Sequence, residues 1–316
     1  MLTSILELQQ DKVIVTSNHI KNIFENTACE THNQFTGEKS SIKGCSVPVE
    51  VVNYPVKTTV PADISGNLNL SHDFNFLTVA QVAPRKNLFA TIEWFIQEFH
   101  DEDIGLVVKS HLMNNSTVDR LQVENMLKSV CAGASKPNRK CKIYHIHGLM
   151  TEEEMHGLYV HPQIKCLVST THGEGFGLPL FEAAYSGLPI VAPVWSGQSD
   201  FVYMPKKKKG GKKERICGIE KVKAPLDEVA ADAYMPPVIE AGMKWCYPDK
   251  DKFKKALRAV FDAYSSKERR AQQLKEHLCK TLSLETQQEV MCEAIRTGYE
   301  NETQEWQQKN DEVVIL

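Results

Sequence analysis

Residues 164–202 read IKCLVSTTHGEGFGLPLFEAAYSGLPIVAPVWSGQSDFV, and this stretch decides the fold. It has the order strand, glycine loop, helix, strand. Cys166 to Val168 begin a short apolar run, and Gly173, Gly175 and Gly177 alternate through the loop that follows. Pro179 suits the first position of a helix and Gly187 the residue just past its end. Leu188 to Val194 form a second apolar run with prolines near its ends, the pattern of a short buried parallel strand. Two carboxylates carry the chemistry. Glu174 stands in the loop and Glu182 about one turn into the helix, so both can face one ligand.

Upstream, strand-like runs alternate with amphipathic helices. FNFLTVA (74–80), IGLVVKS (104–110) and KIYHI (142–146) are the runs. A helix opening at Asn87 places Leu88, Ile92, Phe95, Ile96 and Phe99 on one face, another covers 118–130, and the capping box Thr151-x-x-Glu154 starts a third. The alternation predicts an α/β chain with a Rossmann-like, doubly wound parallel sheet covered on both faces. MKWCYPD (243–249) reads as its last strand, and Asp249 as the cap of a helix bearing Phe253, Leu257, Val260, Phe261 and Tyr264.

The flanks are less regular. KVIVT (12–16) is strand-like, and Ser17 can cap a helix carrying Ile20, Ile23 and Phe24. Residues 26–46 read as polar and turn-rich, 47–56 as extended, and 57–73 as a linker. MPKKKKGGKKERI (204–216) interrupts the later pattern with six lysines, and Lys206 to Lys213 is expected to be a solvated hairpin tip or mobile insertion. A site for an anionic ligand or membrane phosphate is the sharper alternative. Residues 267–311 read as two long polar helices, followed by a short apolar tail.

With 316 residues and 42% hydrophobic composition, the chain can bury a large core. Its net charge of −3 gives no global case for nucleic-acid binding. The sequence holds no apolar run of membrane-spanning length, and MLTSILELQQDK turns polar too soon for a signal peptide. Nine cysteines without CxxC spacing fit a reducing compartment, so a cytoplasmic location is expected. Asp101-Glu102-Asp103 has the letters of a metal-binding triplet, but reads as a polar turn between a helix and a strand; neither metal nor cofactor is expected.

Glycine loops between a strand and a helix bind phosphate through close-approaching backbone N–H groups and the helix N-terminus. A dinucleotide fingerprint would need glycine where Leu178 stands, and no GKS or GKT follows for a nucleotide-triphosphate loop. Glu174 would repel a pyrophosphate lying directly on the loop, yet it can accept hydrogen bonds from sugar hydroxyls. A hydroxyl-rich ligand joined to a phosphate satisfies both features.

The segment HGEGFGLPLFEAAYSGLPIVA resembles the E-x7-E signature of retaining GT-B glycosyltransferases of the family-4, "glycosyl transferases group 1" kind. The resemblance extends to the strand, glycine turn and helix at Ile146-His147-Gly148-Leu149 and Thr151 to Tyr159, and to the basic loop Val82-Ala83-Pro84-Arg85-Lys86-Asn87. It is continuous over roughly 74–202 and weaker at 12–56 and 243–264. It implies a GT-B-like fold: residues 1–66 as the remnant of an N-terminal acceptor domain and linker, 67–264 as a complete donor-binding Rossmann-like domain, and 265–316 as C-terminal helices. It also implies that Glu174 and Lys86 are catalytic. Gln81, Arg85, Gly148, Leu149, Gly175, Phe176, Gly177, Leu178 and Glu182 would bind the donor, with Glu182 holding the ribose hydroxyls and the turn at His147, Gly148 and Leu149 lying near the nucleobase. Gln81 departs from the pattern, which usually has arginine five residues before the lysine; Arg85 would then take its place. His147 and His172 are read as structural hydrogen-bonders.

The implied activity is transfer of a sugar, with retention, from a nucleotide diphosphate sugar to an unknown acceptor. A non-catalytic nucleotide-sugar-binding or partner subunit, as a fragment or half of a split enzyme with a second chain supplying the acceptor domain, is the alternative. A sugar-nucleotide epimerase is a third reading.

Overall fold

The computed structural model describes residues 12–32, 39–66, 68–207, 213–236 and 238–296. The chain divides into two compact units, residues 1–57 with 281–316, and residues 58–280. The first begins with the apolar triplet of β1, Val13–Val15. Ser17 Oγ accepts from Ile20 N at 3.2 Å and caps α1, Asn18–Asn26. β2, Ala28–His32, pairs antiparallel with β3, Lys39–Lys43. Residues 26–46 thus contribute a ribbon in place of the expected turns. Neither ACETH nor KSSIK carries the apolar alternation that marks a strand in sequence. β4, Val49–Val51, runs parallel to β1.

The second unit alternates as its periodicity predicts. β5 is Asn75–Val79, α2 Leu88–Phe99, β6 Gly105–Lys109, α3 Thr117–Ala134 and β7 Lys142–Ile146. α4 is Glu152–Tyr159, β8 Ile164–Val168, α5 Leu178–Ser186 and β9 Ile190–Pro193. The Thr151/Glu154 capping box forms in full, with hydrogen bonds of 3.2 and 2.8 Å. β10, Tyr203–Lys207, and β11, Lys213–Cys217, form an antiparallel hairpin. Lys206 and Lys207 close β10 and Lys213 opens β11, and residues 208–212 of the lysine run lie outside the described residues.

The strand that completes the main sheet is not 243–249. It is β12, Glu220–Val222, which lies parallel to β9. Lys244–Cys246, β14, instead pairs antiparallel with β13, Leu226–Glu228, in a separate ribbon. β12 is three residues long and includes two charges, so its place is set by the neighbouring strand and by α6, Lys250–Asp262, not by its own composition. α7, Tyr264–Thr281, ends the second unit, and α8, Leu284–Arg296, belongs to the first. Within the first unit, Val56 N donates to Leu282 O at 2.7 Å and Lys12 Nζ donates to Ala294 O. The apolar C-terminal tail lies outside the described residues.

The six strands are all parallel in the order β12-β9-β8-β5-β6-β7. Numbered along the chain, that is the 3-2-1-4-5-6 order of dinucleotide-binding folds read from the other edge. Phe76, Leu106, Val108, Cys166, Val168 and Val191 enter one core cluster with side chains of α2, α3 and α6. The alternate residues Leu77, Val107 and Leu167 are equally buried, so both sheet faces are covered. Phe76, Phe95 and Phe99 pack within 5.7 Å of one another, each contributing about 1.5–3 kcal/mol by burial. Arg258 on α6 lies 4.5 Å from the Phe99 ring and bonds Glu98 and Glu102 on and just beyond α2. Glu102 of the acidic triplet is therefore committed to packing α6 on α2. No described helix is long and apolar enough to cross a membrane.

Candidate functional site

In a sheet of this order the crossovers leave β5 and β8 toward opposite edges, and a crevice opens where their carboxyl ends diverge. The loops after those two strands carry the basic and the glycine-rich segments. Asn87 ties them together from a left-handed backbone conformation, φ 50°, with its Nδ2 donating to Thr170 O at 3.3 Å. Thr170 Oγ1 returns a bond to Asn87 O at 2.9 Å, and His172 N donates to Arg85 O at 2.8 Å.

These ties set Lys86 and Arg85 against Glu174. Lys86 Nζ lies 2.7 Å from both Glu174 carboxylate oxygens, and Arg85 Nη1 lies 3.0 Å from Oε2. Arg85 Nη1 also donates to Gly173 O, and Thr171 Oγ1 to Glu174 Oε1 at 2.8 Å. The Glu174 side chain is only 11% exposed. Burial works to raise its pKa, but the charges of Lys86 and Arg85, with the Lys86 and Thr171 hydrogen bonds, hold it below the ordinary carboxylate value. The group is ionised at neutral pH, facing two fixed cations.

The glycine loop is backed by residues 195–198. Glu174 N donates to Ser196 Oγ at 2.8 Å, and Gly197 N to Glu174 O at 2.9 Å. A Cβ on Gly197 would stand 2.0 Å from Gly175 O, so only glycine permits this approach. Gly177, at φ +96°, turns the chain into α5. The helix starts at Leu178, one residue earlier than the proline suggests, and Pro179 occupies its second position, where no N–H is needed. Phe176 is buried against Phe181 and Phe201, both at 5.1 Å, so its side chain anchors the loop.

His172 has the structural role expected for it. Its ring stacks on Trp245 at 5.2 Å and 10°, and Nδ1 lies 2.7 Å from Cys246 O. A carbonyl only accepts, so Nδ1 carries the proton, and burial pulls the ring's pKa down despite that bond. The β13–β14 ribbon is thereby fixed to the glycine loop.

The remaining predicted residues occupy separate networks. Glu182, the fifth residue of α5, accepts from Tyr159 Oη at 3.0 Å. Burial, then the Glu182 charge, pushes the Tyr159 phenol well above its ordinary pKa, so it stays a donor. Gln81 Nε2 donates to Leu112 O at 2.7 Å, while Arg85, not Gln81, reaches the Glu174 cluster. Gly148 has φ +99° and Leu149 is 85% exposed, forming the turn after β7. His147 Nε2 lies 2.8 Å from Asp119 Oδ2, and both side chains are buried. Burial would raise the Asp119 pKa, but bonds from His147 and from the amides of Met113, Leu112 and Asn114 hold it well below the usual range. Lys109, at the end of β6, donates to Gly148 O, and burial alone pulls its ammonium pKa down. Among the described residues no cluster of three or more His, Cys, Asp or Glu side chains is placed to hold a metal ion.

Sequence reasoning did not single out Thr171, Ser196, Gly197, Lys109, Asp119 or Tyr159. Lys109 carried a signal, a lysine closing the apolar run GLVV in a strand that should be buried on both faces. The others act through contacts between segments distant in sequence.

No protein-family model and no curated protein matches the chain. Solved structures do. A sucrose-phosphate synthase from Thermosynechococcus elongatus is 16% identical with a TM-score of 0.59, over 93% of this chain and 60% of that one. Anabaena HepE, determined in complex with UDP and glucose, is 14% identical with a TM-score of 0.60, over 93% and 65%. A glycosyltransferase from Rickettsia africae is 12% identical with a TM-score of 0.57, over 91% and 64%. The chain thus spans about 60–65% of the length of these structures. At such identities the likeness is one of architecture, and it gives this chain a GT-B-like fold whose Rossmann-like unit carries the paired loops of Lys86 and Glu174.

Proposed function

We propose that the chain binds a nucleotide diphosphate sugar and takes part in transfer of the sugar, with retention of configuration, to an acceptor. The observation that carries this reading is the meeting of Lys86 and Arg85 with Glu174 at the carboxyl ends of β5 and β8. A departing diphosphate gathers charge on its oxygens, and a fixed cation stabilises that charge more than it does the ground state. Lys86 and Arg85 take this role. Backbone amides of Gly175 to Leu178, at the start of α5, face the donor phosphate and sugar. Glu174 accepts from sugar hydroxyls and supports the oxocarbenium-like sugar as the bond to the diphosphate breaks. Glu182 holds the ribose, and the Gly148-Leu149 turn borders the base. The UDP and glucose in the HepE complex support this ligand class.

Two observations favour a second reading, a nucleotide-sugar-binding subunit without turnover that works with another chain. Gln81 stands where the resembling family usually has arginine, and Glu174 already engages both cations. Calorimetric titration with nucleotide diphosphates and nucleotide sugars, beside hydrolysis and transfer assays on the same preparation, separates the two. Binding with sugar release or transfer supports the first, and binding alone the second. A chain that binds no nucleotide or nucleotide sugar loses both.

A further inference from the structure

Lys109 presents a chemical problem that the roles above leave unsolved. The residue is 9% exposed, and its Nζ donates to the carbonyl of Gly148. An ammonium has three N–H donors, and a buried one is costly unless a counter-ion or several acceptors satisfy it. Among the described residues no carboxylate pairs with Lys109. The nearby buried acid, Asp119, is already engaged by three backbone amides and His147. Among the described residues the Gly148 carbonyl is the acceptor that Lys109 engages, which leaves its other donors able to meet a ligand.

The position indicates the acceptor. Lys109 closes β6 at the carboxyl edge of the sheet, where ligands of this architecture bind. The cations for a diphosphate sit on the loop after β5, whereas Lys109 leans to the turn after β7, two interstrand spacings or about 10 Å from β5. Space is open over that turn: a Cβ on Gly148 would meet no atom within 4 Å, and Leu149 beside it offers an exposed apolar surface. A flat, polar-edged ring fits such a place, on the far side of the ribose from the phosphates.

Building on the donor-site reading above, we propose that Lys109 selects the nucleobase. Its ammonium, steadied by the Gly148 carbonyl, donates to O4 of uracil or O6 of guanine. Cytosine and adenine carry an amino group at the corresponding position, a donor that faces a donor. The donor substrate is therefore a uridine or guanosine diphosphate sugar, and Lys109 is a specificity-determining residue.

The test is calorimetric titration of the full chain with UDP, CDP, GDP and ADP, repeated on Lys109→Met and Lys109→Gln. Wild type should prefer UDP over CDP, and GDP over ADP, by roughly tenfold to a hundredfold, the worth of one charge-assisted hydrogen bond. Both variants should bring the two ratios close to one. A wild type that binds all four equally overturns the assignment of Lys109 while leaving the donor-site reading standing. Equal weakening of all four by the variants also overturns it, because a lysine that only holds the Gly148 turn would act that way. If wild type binds none of the four, the donor-site reading fails and Lys109 loses its role with it. Removal of an uncompensated buried charge should leave the melting temperature unchanged or raised, so the variants are expected to fold.

Discussion

Glu174 and Glu182 belong to one motif with seven residues between them, yet they stand in separate networks. The loop carboxylate is gripped by two cations and a threonine hydroxyl. The helix carboxylate is approached by a neutral phenol. Charge developing on a ligand beside Glu174 meets a strong, fixed field, whereas Glu182 offers a carboxylate acceptor that already takes a hydrogen bond from Tyr159. The difference matches the roles proposed for them, charge stabilisation at the loop carboxylate and recognition at the helix carboxylate. It predicts that changes in the loop cluster act on turnover and changes on the helix act on affinity.

The largest effect should come from Lys86→Met. It removes the closer of the two cations, at 2.7 Å, and leaves Glu174 buried with Arg85 alone. We expect kcat/KM for sugar transfer to fall by about a hundredfold to a thousandfold, the scale seen when one fixed donor to a developing anion is lost. Steady-state kinetics against wild type would check this, and an unchanged kcat/KM would remove Lys86 from the reaction.

Glu174→Gln keeps the side-chain volume and Lys86, but removes the negative charge. Turnover should fall by on the order of a hundredfold, while affinity for a nucleoside diphosphate is retained or increases because Lys86 and Arg85 no longer have an internal anion to satisfy. The decisive readout is the split between kcat and the Kd measured by calorimetry. Parallel loss of both would make Glu174 a structural residue of the loop.

Glu182→Ala should give the reverse pattern. Nucleoside diphosphate affinity should weaken by about tenfold, as for loss of a hydrogen bond to a charged group, with a smaller change in kcat at saturating donor. A deoxyribose analogue should be less sensitive to the substitution than the ribonucleotide. Equal sensitivity would separate Glu182 from the ribose.

How much of this contrast was legible before the structure follows from where each residue's partners lie. The strands with apolar runs and the helices with apolar faces declared themselves, since burial on both faces of a parallel sheet imposes such composition. Strand β12 did not, because two of its three residues are charged and its place depends on β9 and α6. Glu174 was marked by its three glycines, and Lys86 by the basic loop. Their mutual distance was not, because 88 positions separate them and ties such as Asn87–Thr170 and His172–Arg85 bring their loops together. Tyr159 and Ser196 were invisible for the same reason. Each is an ordinary residue until the fold brings it to a carboxylate or a loop amide.

The pH dependence of stability should give the smallest effect, and it isolates the loop cluster without relying on activity. Lys86 and Arg85 outweigh burial and depress the Glu174 pKa in the folded chain. A carboxyl depressed on folding contributes stability above its unfolded pKa, near 4.3, and loses that contribution as pH falls toward its folded value. Protonation then leaves Lys86 and Arg85 facing a neutral group. Between about pH 5 and about pH 3, the melting temperature of wild type should therefore fall more steeply than that of Glu174→Gln, which has no proton to take up there. Parallel slopes for wild type and Glu174→Gln would mean that the ion pairs of the loop are too weakly formed in solution to set its chemistry.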